Sequence, residues 1–400
     1  MKRATGIALL FALLAACGKS PAGPGQPGKT AHPDWMAVHA SAILIDTHND
    51  VTSETLRGLD IGVRRDKGHT DVPRLKAGGV DAVFFAAYVS TDYAGKGGAA
   101  HRAMQMIDTI RYDIVERHPN DFVLAASADD IVDANNSGKI AALIGIEGGY
   151  AIEDDLRLLR DFYAAGARYM TLTHSATSAW ADSSGDVDRP EVPHHNGLTA
   201  FGKDVVREMN RIGMMVDISH VSDKTFWDVM EIAKAPPIAS HSSCRALSNI
   251  PRNMTDDMIK ALAGKGGVIQ INFGCEFLSQ KSADASGWSN PALAKKIRDL
   301  PPEERKKAIQ EIAARMPRAT LDDVVAHIDH VVKLVGVDSV GIGSDFDGVE
   351  CTPEGLDDVS KFPNLTRALM DNGYSAEDVQ KIYGGNFLRE MRAVEKAAGQ

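Results

Sequence analysis

Two neighbouring stretches decide the fold: Gly213-Met-Met-Val-Asp-Ile-Ser-His220 and Pro236-Pro-Ile-Ala-Ser-His-Ser-Ser243. Each begins with an apolar run rich in β-branched residues and then reaches a histidine, His220 in the first and His241 in the second. A short amphipathic segment separates them, so the pattern predicts strand, helix, strand. In a parallel α/β sheet both histidines would lie at the carboxyl ends of neighbouring strands, where such folds place their chemistry.

The same pattern recurs along the chain and predicts an α/β fold, a (β/α)8 TIM-type barrel. Eight apolar runs of strand length are found at 42–50, 80–89, 139–149, 167–174, 213–220, 236–243, 266–274 and 339–348. Segments with helical spacing or composition are found at 97–118, 128–135, 154–165, 196–212, 301–315 and 321–335. An open doubly wound sheet is the alternative, but no Gly-x-Gly-x-x-Gly turn follows an early run.

The composition favours a small-molecule substrate. The chain has 400 residues, of which 44% are hydrophobic, and a formal net charge of -10. Nucleic acids and anionic membrane surfaces both attract basic proteins, so the acidic balance argues against these partners.

The amino terminus has the features of an export signal. Met1-Lys-Arg is basic, residues 7–16 are apolar, and Leu14-Ala-Ala-Cys17 resembles the lipobox of bacterial lipoproteins. We therefore expect a signal peptide at 1–16, a lipidated Cys17, a Pro/Gly-rich tether at 17–35 and a single catalytic domain at 36–400. The protein would then be anchored by lipid in the bacterial cell envelope, facing the periplasm or the exterior. A plain signal peptide with a coincidental cysteine is the alternative.

Three cysteines, Cys244, Cys275 and Cys351, remain after Cys17 is set aside. Because the number is odd, at least one thiol is free or pairs between chains.

Six of the predicted strands end in a residue of metal-ligand or acid/base type. These residues include His48 and Asp50, Glu147, His174, His220, His241, and Asp345 with Asp347. A lone histidine at a strand end is more often structural than a ligand. Six strand ends that carry such residues at one rim of a barrel, however, favour a metal site. The other histidines, among them His32, His39, His101, His118, His194, His195, His327 and His330, are predicted to be structural or exposed.

The residue types favour zinc or a similar ion. Imidazoles combined with carboxylates suit zinc, whereas magnesium and calcium prefer oxygen ligands alone. His48 and Asp50 are two residues apart and point to one face of a strand. The set exceeds the three protein ligands of one catalytic zinc, so two metals sharing one carboxylate is the economical assignment. Glu147, with glycines on both sides, is the candidate bridge.

Seven segments together resemble the membrane (renal) dipeptidase family, a branch of the amidohydrolase-like metal-dependent barrels. They are Asp46-Thr-His-Asn-Asp50, Ile146-Glu-Gly-Gly149, Leu172-Thr-His174, Val216-Asp-Ile-Ser-His220, Ser240-His-Ser-Ser243, Arg252-Asn and Gly343-Ser-Asp-Phe-Asp-Gly348. The resemblance runs from about residue 40 to the end of the chain.

This resemblance implies a zinc-dependent dipeptidase with two Zn²⁺ per chain. It implies that His48, Asp50 and Glu147 hold one ion and that Glu147, His220 and His241 hold the other. A hydroxide bridging the metals would attack the peptide bond of a dipeptide, with L,D-dipeptides among the candidate substrates. His174 would contact the scissile carbonyl, Arg252 the free carboxylate, and Asp345 would carry the proton.

Several alternatives stay open in the sequence. Arg252 is a substrate clamp or a surface arginine, and Asp347 orients a ligand indirectly or caps its loop. The family's animal members have a tyrosine where Gly274 stands, and a different run follows His174; the missing ring widens the pocket or leaves Cys275 facing it. A barrel hydrolase of lactones, β-lactams, esters or phosphoesters is the alternative function, and a non-catalytic lipoprotein a third. The sequence also leaves open a homodimer.

Overall fold

A computed structural model describes Met1 and residues 34–399. The strands in this part of the chain are β1 (Leu44–Asn49), β2 (Val80–Tyr88), β3 (Phe122–Leu124), β4 (Ile140–Glu147), β5 (Ala167–Thr171), β6 (Met215–Asp217), β7 (Ala239–Ser242), β8 (Ile269–Ile271) and β9 (Val340–Ile342).

The α-helices alternate with these strands and extend the loops that follow them. They are α1 (Trp35–Ser41), α2 (Thr52–Thr55), α3 (Val72–Ala77), α4 (Ala99–Asp108), α5 (Ala128–Asn136), α6 (Leu156–Ala164), α7 (Ala200–Ile212), α8 (Asp223–Ile232), α9 (Asp256–Gly264), α10 (Cys275–Leu278), α11 (Gln280–Ala285), α12 (Pro291–Arg298), α13 (Pro302–Ala313), α14 (Leu321–Val335), α15 (Phe362–Asp371), α16 (Ala376–Gln380) and α17 (Asn386–Ala397). A π-helix, Thr109–Glu116, continues α4.

Eight of the strands form a closed parallel barrel. β1, β2, β4, β5 and β6 are neighbours in one parallel sheet, and β7, β8 and β9 form a second. Single parallel bridges join the two sheets, between Asp217 and Ile238 on one side and between Asn49 and Phe346 on the other. The predicted (β/α)8 barrel is confirmed, and each predicted run contains one of its strands.

Successive residues of a barrel strand pack into different layers. In β2, Val83 and Phe85 join the core between strands and helices, whereas Phe84 joins the core inside the barrel. There the ring of Phe84 lies 4.9 Å from that of Tyr169. Because side chains alternate in direction along a strand, a strand covered on both faces is apolar at nearly every position. This is why the barrel strands read as continuous apolar runs.

Helix α17 covers the amino-terminal end of the barrel. The ring of Phe387 lies 5.4 Å from that of Phe84. The buried carboxylate of Glu390 accepts a hydrogen bond from the backbone N–H of Val268, just before β8, at 3.0 Å. The barrel is therefore covered at this end, and its polar residues gather at the other.

The predicted helices are confirmed, and one strand was not predicted. The segments at 154–165 and 196–212 form α6 and α7, and the two insertions form α4 with its π-helix, α5, α13 and α14. Strand β3 pairs only with the first half of β4. It has three residues, and Val123 at its centre is exposed, so it carries no periodic signal.

The predicted signal peptide, Cys17 and most of the tether lie outside the described residues. Helix α1 begins at Trp35, where the carboxylate of Asp34 accepts a hydrogen bond from the backbone N–H of Met36. No helix among the described residues is long and apolar enough to cross a membrane.

A disulfide joins Cys275 to Cys351 and connects the segment after β8 to the segment after β9. Cys244 is buried and is the free cysteine among the described residues. The prediction of an unpaired thiol is therefore confirmed. The alternative in which Cys275 faces the pocket is wrong, because this sulfur is bonded and buried.

Candidate metal centre and active site

Side chains from five barrel strands gather around Glu147, the last residue of β4. His48 and His241 lie on β1 and β7, whereas His174 and His220 follow β5 and β6. The distance from histidine Nε2 to a Glu147 carboxylate oxygen is 3.0 Å for His220, 3.4 Å for His241, 3.6 Å for His48 and 3.7 Å for His174. The parallel barrel thus brings together residues that are far apart in sequence.

The donor atoms form three groups in which all atoms lie within 4.8 Å of one another. The groups are His48, Glu147 and His241; Glu147, His174 and His220; and His48, Asp50 and Asp345. Glu147 and His48 each belong to two of them, and of these two only the Glu147 carboxylate offers two oxygens with which to bridge two ions. All five predicted metal ligands are present, with His174 and Asp345 beside them.

Hydrogen bonds on the far side of two rings determine which nitrogen faces Glu147. His48 Nδ1 lies 2.8 Å from the hydroxyl of Tyr169, which donates to a backbone carbonyl of β1 at 3.1 Å. His241 Nδ1 lies 2.7 Å from the hydroxyl of Ser240, which donates to Asp217 at 2.6 Å. Because each hydroxyl has given away its own proton, it accepts one from Nδ1–H. The Nε2 of both rings then carries a lone pair, the form in which imidazole binds metals.

The arrangement of the histidine nitrogens around the Glu147 carboxylate favours a bound cation. The lone pairs of His48 and His241 point towards the Glu147 carboxylate, and the Nε2 atoms of His220 and His241 are 2.9 Å apart. Lone pairs facing one another repel unless a proton or a metal ion lies between them. Burial lowers the pKa of both His220 and His241 well below the usual value, which keeps these rings neutral and able to coordinate.

The site also concentrates negative charge. Burial, together with the charges of Asp50 and Glu147, raises the pKa of Asp345 well above its usual value. Burial lowers the pKa of His48, but Tyr169 and the neighbouring carboxylates outweigh burial and raise it well above the ordinary value. Without a metal ion the raised pKa of His48 favours a proton on Nε2, and a bound divalent ion would take the place of that proton.

Two of these residues have a left-handed backbone, with φ of 65° at His220 and 62° at Asp345. This conformation costs a non-glycine residue about 1–3 kcal/mol and persists only where the surroundings hold it. The carbonyl of His220 accepts hydrogen bonds from the hydroxyls of Thr173 and Ser184, each at 3.0 Å. The backbone N–H of Asp345 donates to the carbonyl of His48 at 3.0 Å. The strain therefore lies where side chains must be aimed at the site.

Asn272, the first residue after β8, orients Asp345. Its side-chain amide donates to Asp345 Oδ2 at 2.7 Å. Its own oxygen accepts a hydrogen bond from the backbone N–H of Gly274 at 2.6 Å, so the amide group cannot turn around without losing this bond. The Asn272 amide thus holds Asp345 through its Oδ2 atom, beside His48 and Asp50.

Asp347 joins its loop to the segment that carries His69. One carboxylate oxygen accepts a hydrogen bond from the backbone N–H of His69 at 2.9 Å, and the backbone N–H of Asp347 donates to His69 Nδ1 at 2.8 Å. This reciprocal pair holds the Asp347 loop against a distant segment, and neither bond reaches a predicted metal ligand.

Arg252 is a buried cation, only 3% exposed, and not a surface arginine. Its guanidinium lies 5.1 Å from the ring of Phe277 and donates one hydrogen bond, to the backbone carbonyl of His241 at 3.1 Å. Nε and Nη1 have no hydrogen-bond partner among the described residues. Burial lowers the pKa of Arg252 to about 10, which leaves the side chain charged at neutral pH. Its free donors suit a planar anion.

Residues 34–400 match the family described as Membrane dipeptidase (Peptidase family M19). The chain belongs to this family. The dipeptidase verJ of Clonostachys rogersoniana is 37% identical over 379 residues, covering 91% of this chain and 87% of that relative. The dipeptidase tcpJ of Claviceps purpurea is 36% identical over 374 residues, covering 92% of this chain and 77% of that relative.

Solved structures agree with this assignment. The probable dipeptidase PvdM from Pseudomonas aeruginosa has a TM-score of 0.78 and 27% identity, covering 91% of this chain and 98% of that one. A metallo peptidase from Rhodobacter sphaeroides, liganded with a phosphinate mimic of the dipeptide L-Ala-D-Ala, has a TM-score of 0.73 and 26% identity, covering 88% of this chain and 100% of that one. The predicted family and enzyme class are confirmed: the chain is a metal-dependent dipeptidase.

Sequence reasoning missed four residues that shape the site of this dipeptidase. They are Tyr169, Asn272, His69 and Arg245. Asn272 was detectable, because it is a polar residue near the end of the seventh predicted strand, at the same rim as the other six strand ends. The remaining described histidines are structural or exposed, as predicted; buried His327, for example, accepts from the backbone N–H of Cys244 and donates to a backbone carbonyl. His32 lies outside the described residues.

Proposed function

We propose that the metal of this dipeptidase is zinc and that each chain holds two ions. One ion is held by His48, Asp50 and Glu147, and the other by Glu147, His220 and His241. The observation that carries this proposal is the convergence of imidazole lone pairs on one shared carboxylate. Imidazole donors favour zinc over calcium or magnesium, and the donors exceed what a single catalytic zinc uses.

The chain's own residues then direct the hydrolysis of the peptide bond. When bound, the two ions would lower the pKa of water and polarise the scissile carbonyl. Asp345, held by Asn272, accepts the proton of the attacking water and passes it to the leaving amine as the C–N bond breaks. Burial lowers the pKa of His174, so its neutral imidazole is a hydrogen-bond donor for the developing oxyanion.

Arg252 binds the free carboxylate of the dipeptide and so places its single peptide bond at the metals. Its burial and its two unpartnered nitrogens support this role. We also propose that L,D-dipeptides are substrates, supported by the Rhodobacter sphaeroides relative and its L-Ala-D-Ala mimic. Comparing the kcat/KM of L-Ala-L-Ala with that of L-Ala-D-Ala tests this, and hydrolysis of the L,L compound alone would reject it.

Arg252→Ala tests the proposed carboxylate clamp. Truncating one partner of a buried charge pair costs on the order of 2–5 kcal/mol, so kcat/KM for free dipeptides should fall by roughly 30-fold or more. Zinc content, measured by atomic emission, should stay normal. Carboxyl-amidated dipeptides should be poor substrates of the wild type and lose little more in the variant. Equal wild-type turnover of free and amidated dipeptides would reject the clamp.

We propose further that Cys17 is lipidated and holds the dipeptidase in the bacterial cell envelope, facing the periplasm or the exterior. The Cys275–Cys351 disulfide supports this location, because disulfides persist mainly in oxidising compartments outside the cytoplasm. Cys17→Ser should move the enzyme from the membrane fraction to the soluble fraction with its activity unchanged. A variant that stays in the membrane fraction would contradict the anchor. Light scattering of the released enzyme would distinguish a monomer from the homodimer that the sequence leaves open.

A further inference from the structure

The loop that carries Arg252 leaves and re-enters the fold at one point. The backbone N–H of Arg245 donates to the carbonyl of Met254, and the N–H of Met254 donates to the carbonyl of Ser243, both at 2.8 Å. The residues between these bonds form a closed loop after β7. The position of Arg252 therefore depends on what holds this loop in shape.

The Arg245 side chain holds the loop on both sides of Arg252. Its Nε donates to the backbone carbonyl of Asn253 at 2.8 Å, and its Nη2 donates to that of Pro251 at 3.1 Å. The same guanidinium makes two bonds of 2.7 Å to the carboxylate of Asp223. One planar group thus connects both neighbours of Arg252 to another part of the barrel rim.

Asp223 connects Arg245 to the start of helix α8. It is the first residue of α8 and lies three residues after His220. The Asp223–Arg245 pair therefore joins the loop of Arg252 to the segment that follows a predicted metal ligand. Asp223, Arg245 and Pro251 also line a cavity of about 530 Å³ together with Trp288, so the pair borders open space and not the closed core.

The side chain of Arg252 does little to fix its own position. It makes one hydrogen bond, to a backbone carbonyl, and packs on the ring of Phe277. The donors left for a substrate carboxylate can be aimed only if the backbone of residues 251–253 stays in place. A displacement of about 1 Å in such a group is enough to misalign it with the substrate carboxylate and to lower kcat/KM.

We propose that Arg245, held by Asp223, is a positioning residue that aims Arg252 at the carboxylate of the dipeptide. The inference rests on the proposed role of Arg252. Arginine is required because its planar fork donates to two carbonyls and a carboxylate at once, whereas lysine offers three donors from a single point. Arg245 acts through Arg252 and does not touch the substrate.

Kinetics of Arg245→Ala with free and amidated dipeptides test this assignment. The substrate carboxylate is bound in the ground state and in the transition state alike. Misaligning Arg252 in the Arg245→Ala variant should therefore raise KM for free dipeptides by about tenfold and leave kcat within about threefold. Turnover of amidated dipeptides should not change. Arg245→Lys and Asp223→Asn, which keep most of the side-chain volume, should raise KM in the same direction by a smaller factor.

Arg211→Ala is the matched control. Arg211 makes a similar two-bond pair with Glu208, at 2.7 Å for each bond, on the exposed face of α7. Its loss should change neither KM nor kcat. Zinc content and the thermal midpoint of every variant show whether a kinetic effect arises from unfolding.

A double variant separates the two proposals. In the Arg252→Ala background, adding Arg245→Ala should change kcat/KM less than about twofold, because residues that act through one another are not additive. Independent, multiplicative losses would overturn the positioning role, as would an equal loss for free and amidated substrates in Arg245→Ala. If Arg252→Ala itself leaves the preference for free dipeptides intact, the clamp fails, and this inference fails with it.

Discussion

Replacing Tyr169 by phenylalanine tests how the barrel interior prepares His48 for a metal. The substitution removes the hydroxyl that accepts the Nδ1 proton of His48 and leaves the ring in place inside the barrel, against the ring of Phe84. Without that acceptor, the proton is free to move to Nε2, where it blocks the lone pair that faces Glu147. Losing an indirect partner of this kind weakens metal binding by about 10- to 100-fold, or about 1.4–2.7 kcal/mol.

Zinc affinity, measured by competition with a chromophoric chelator, is the direct assay and does not depend on turnover. Tyr383→Phe is the matched control, because the buried Tyr383 hydroxyl also makes two hydrogen bonds, to Thr366 at 2.6 Å and to the carbonyl of Phe362 at 3.2 Å. Both variants should lose about 1 kcal/mol of stability, but only Tyr169→Phe should lose zinc affinity. Wild-type zinc affinity in Tyr169→Phe, or equal losses in the two variants, would refute this reasoning.

Two further substitutions test the metal centre and the disulfide. Glu147→Gln should lower zinc content and dipeptidase activity together, because the predicted bridge serves both ions; full activity with unchanged metal would disprove the shared carboxylate. Cys275→Ser opens a crosslink between residues 76 positions apart, so urea denaturation should show a loss of about 2–4 kcal/mol. Removing Cys351 as well should add little, and a second full loss would show that the two sulfurs act separately.

The barrel and its rim were predictable because they depend on local patterns. Apolar runs that stop at an ionisable residue mark both a buried strand and its carboxyl end, as in Glu147 at the end of β4 and His241 on β7. Parallel topology then places all such ends on one rim without further information. The fold and the gathering of site residues follow from these two facts.

What the sequence could not predict depends on contacts between distant residues. Tyr169 reads as one more apolar strand residue, and only the structure brings its hydroxyl to His48. A β-carbon at Gly145 would overlap the Tyr169 ring, so a glycine is needed on β4 because of a side chain on β5. The sequence could not identify the disulfide partner of Cys275 either, because three cysteines permit several pairings. Only the fold places Cys275 beside Cys351, in the segments that follow the neighbouring strands β8 and β9.

The bridge between Asn49 and Phe346 joins the first barrel strand to the last, across almost the whole length of the barrel sequence. His48 and Asp50 therefore meet Asp345 only after the final strand has been synthesised and has docked. Closing so long a chain segment is a late and slow event in folding. An incomplete or still extended chain has no active site at all. If the proposed export takes place before folding, dipeptides in the compartment of synthesis would be spared, and hydrolysis would begin only where folding is completed.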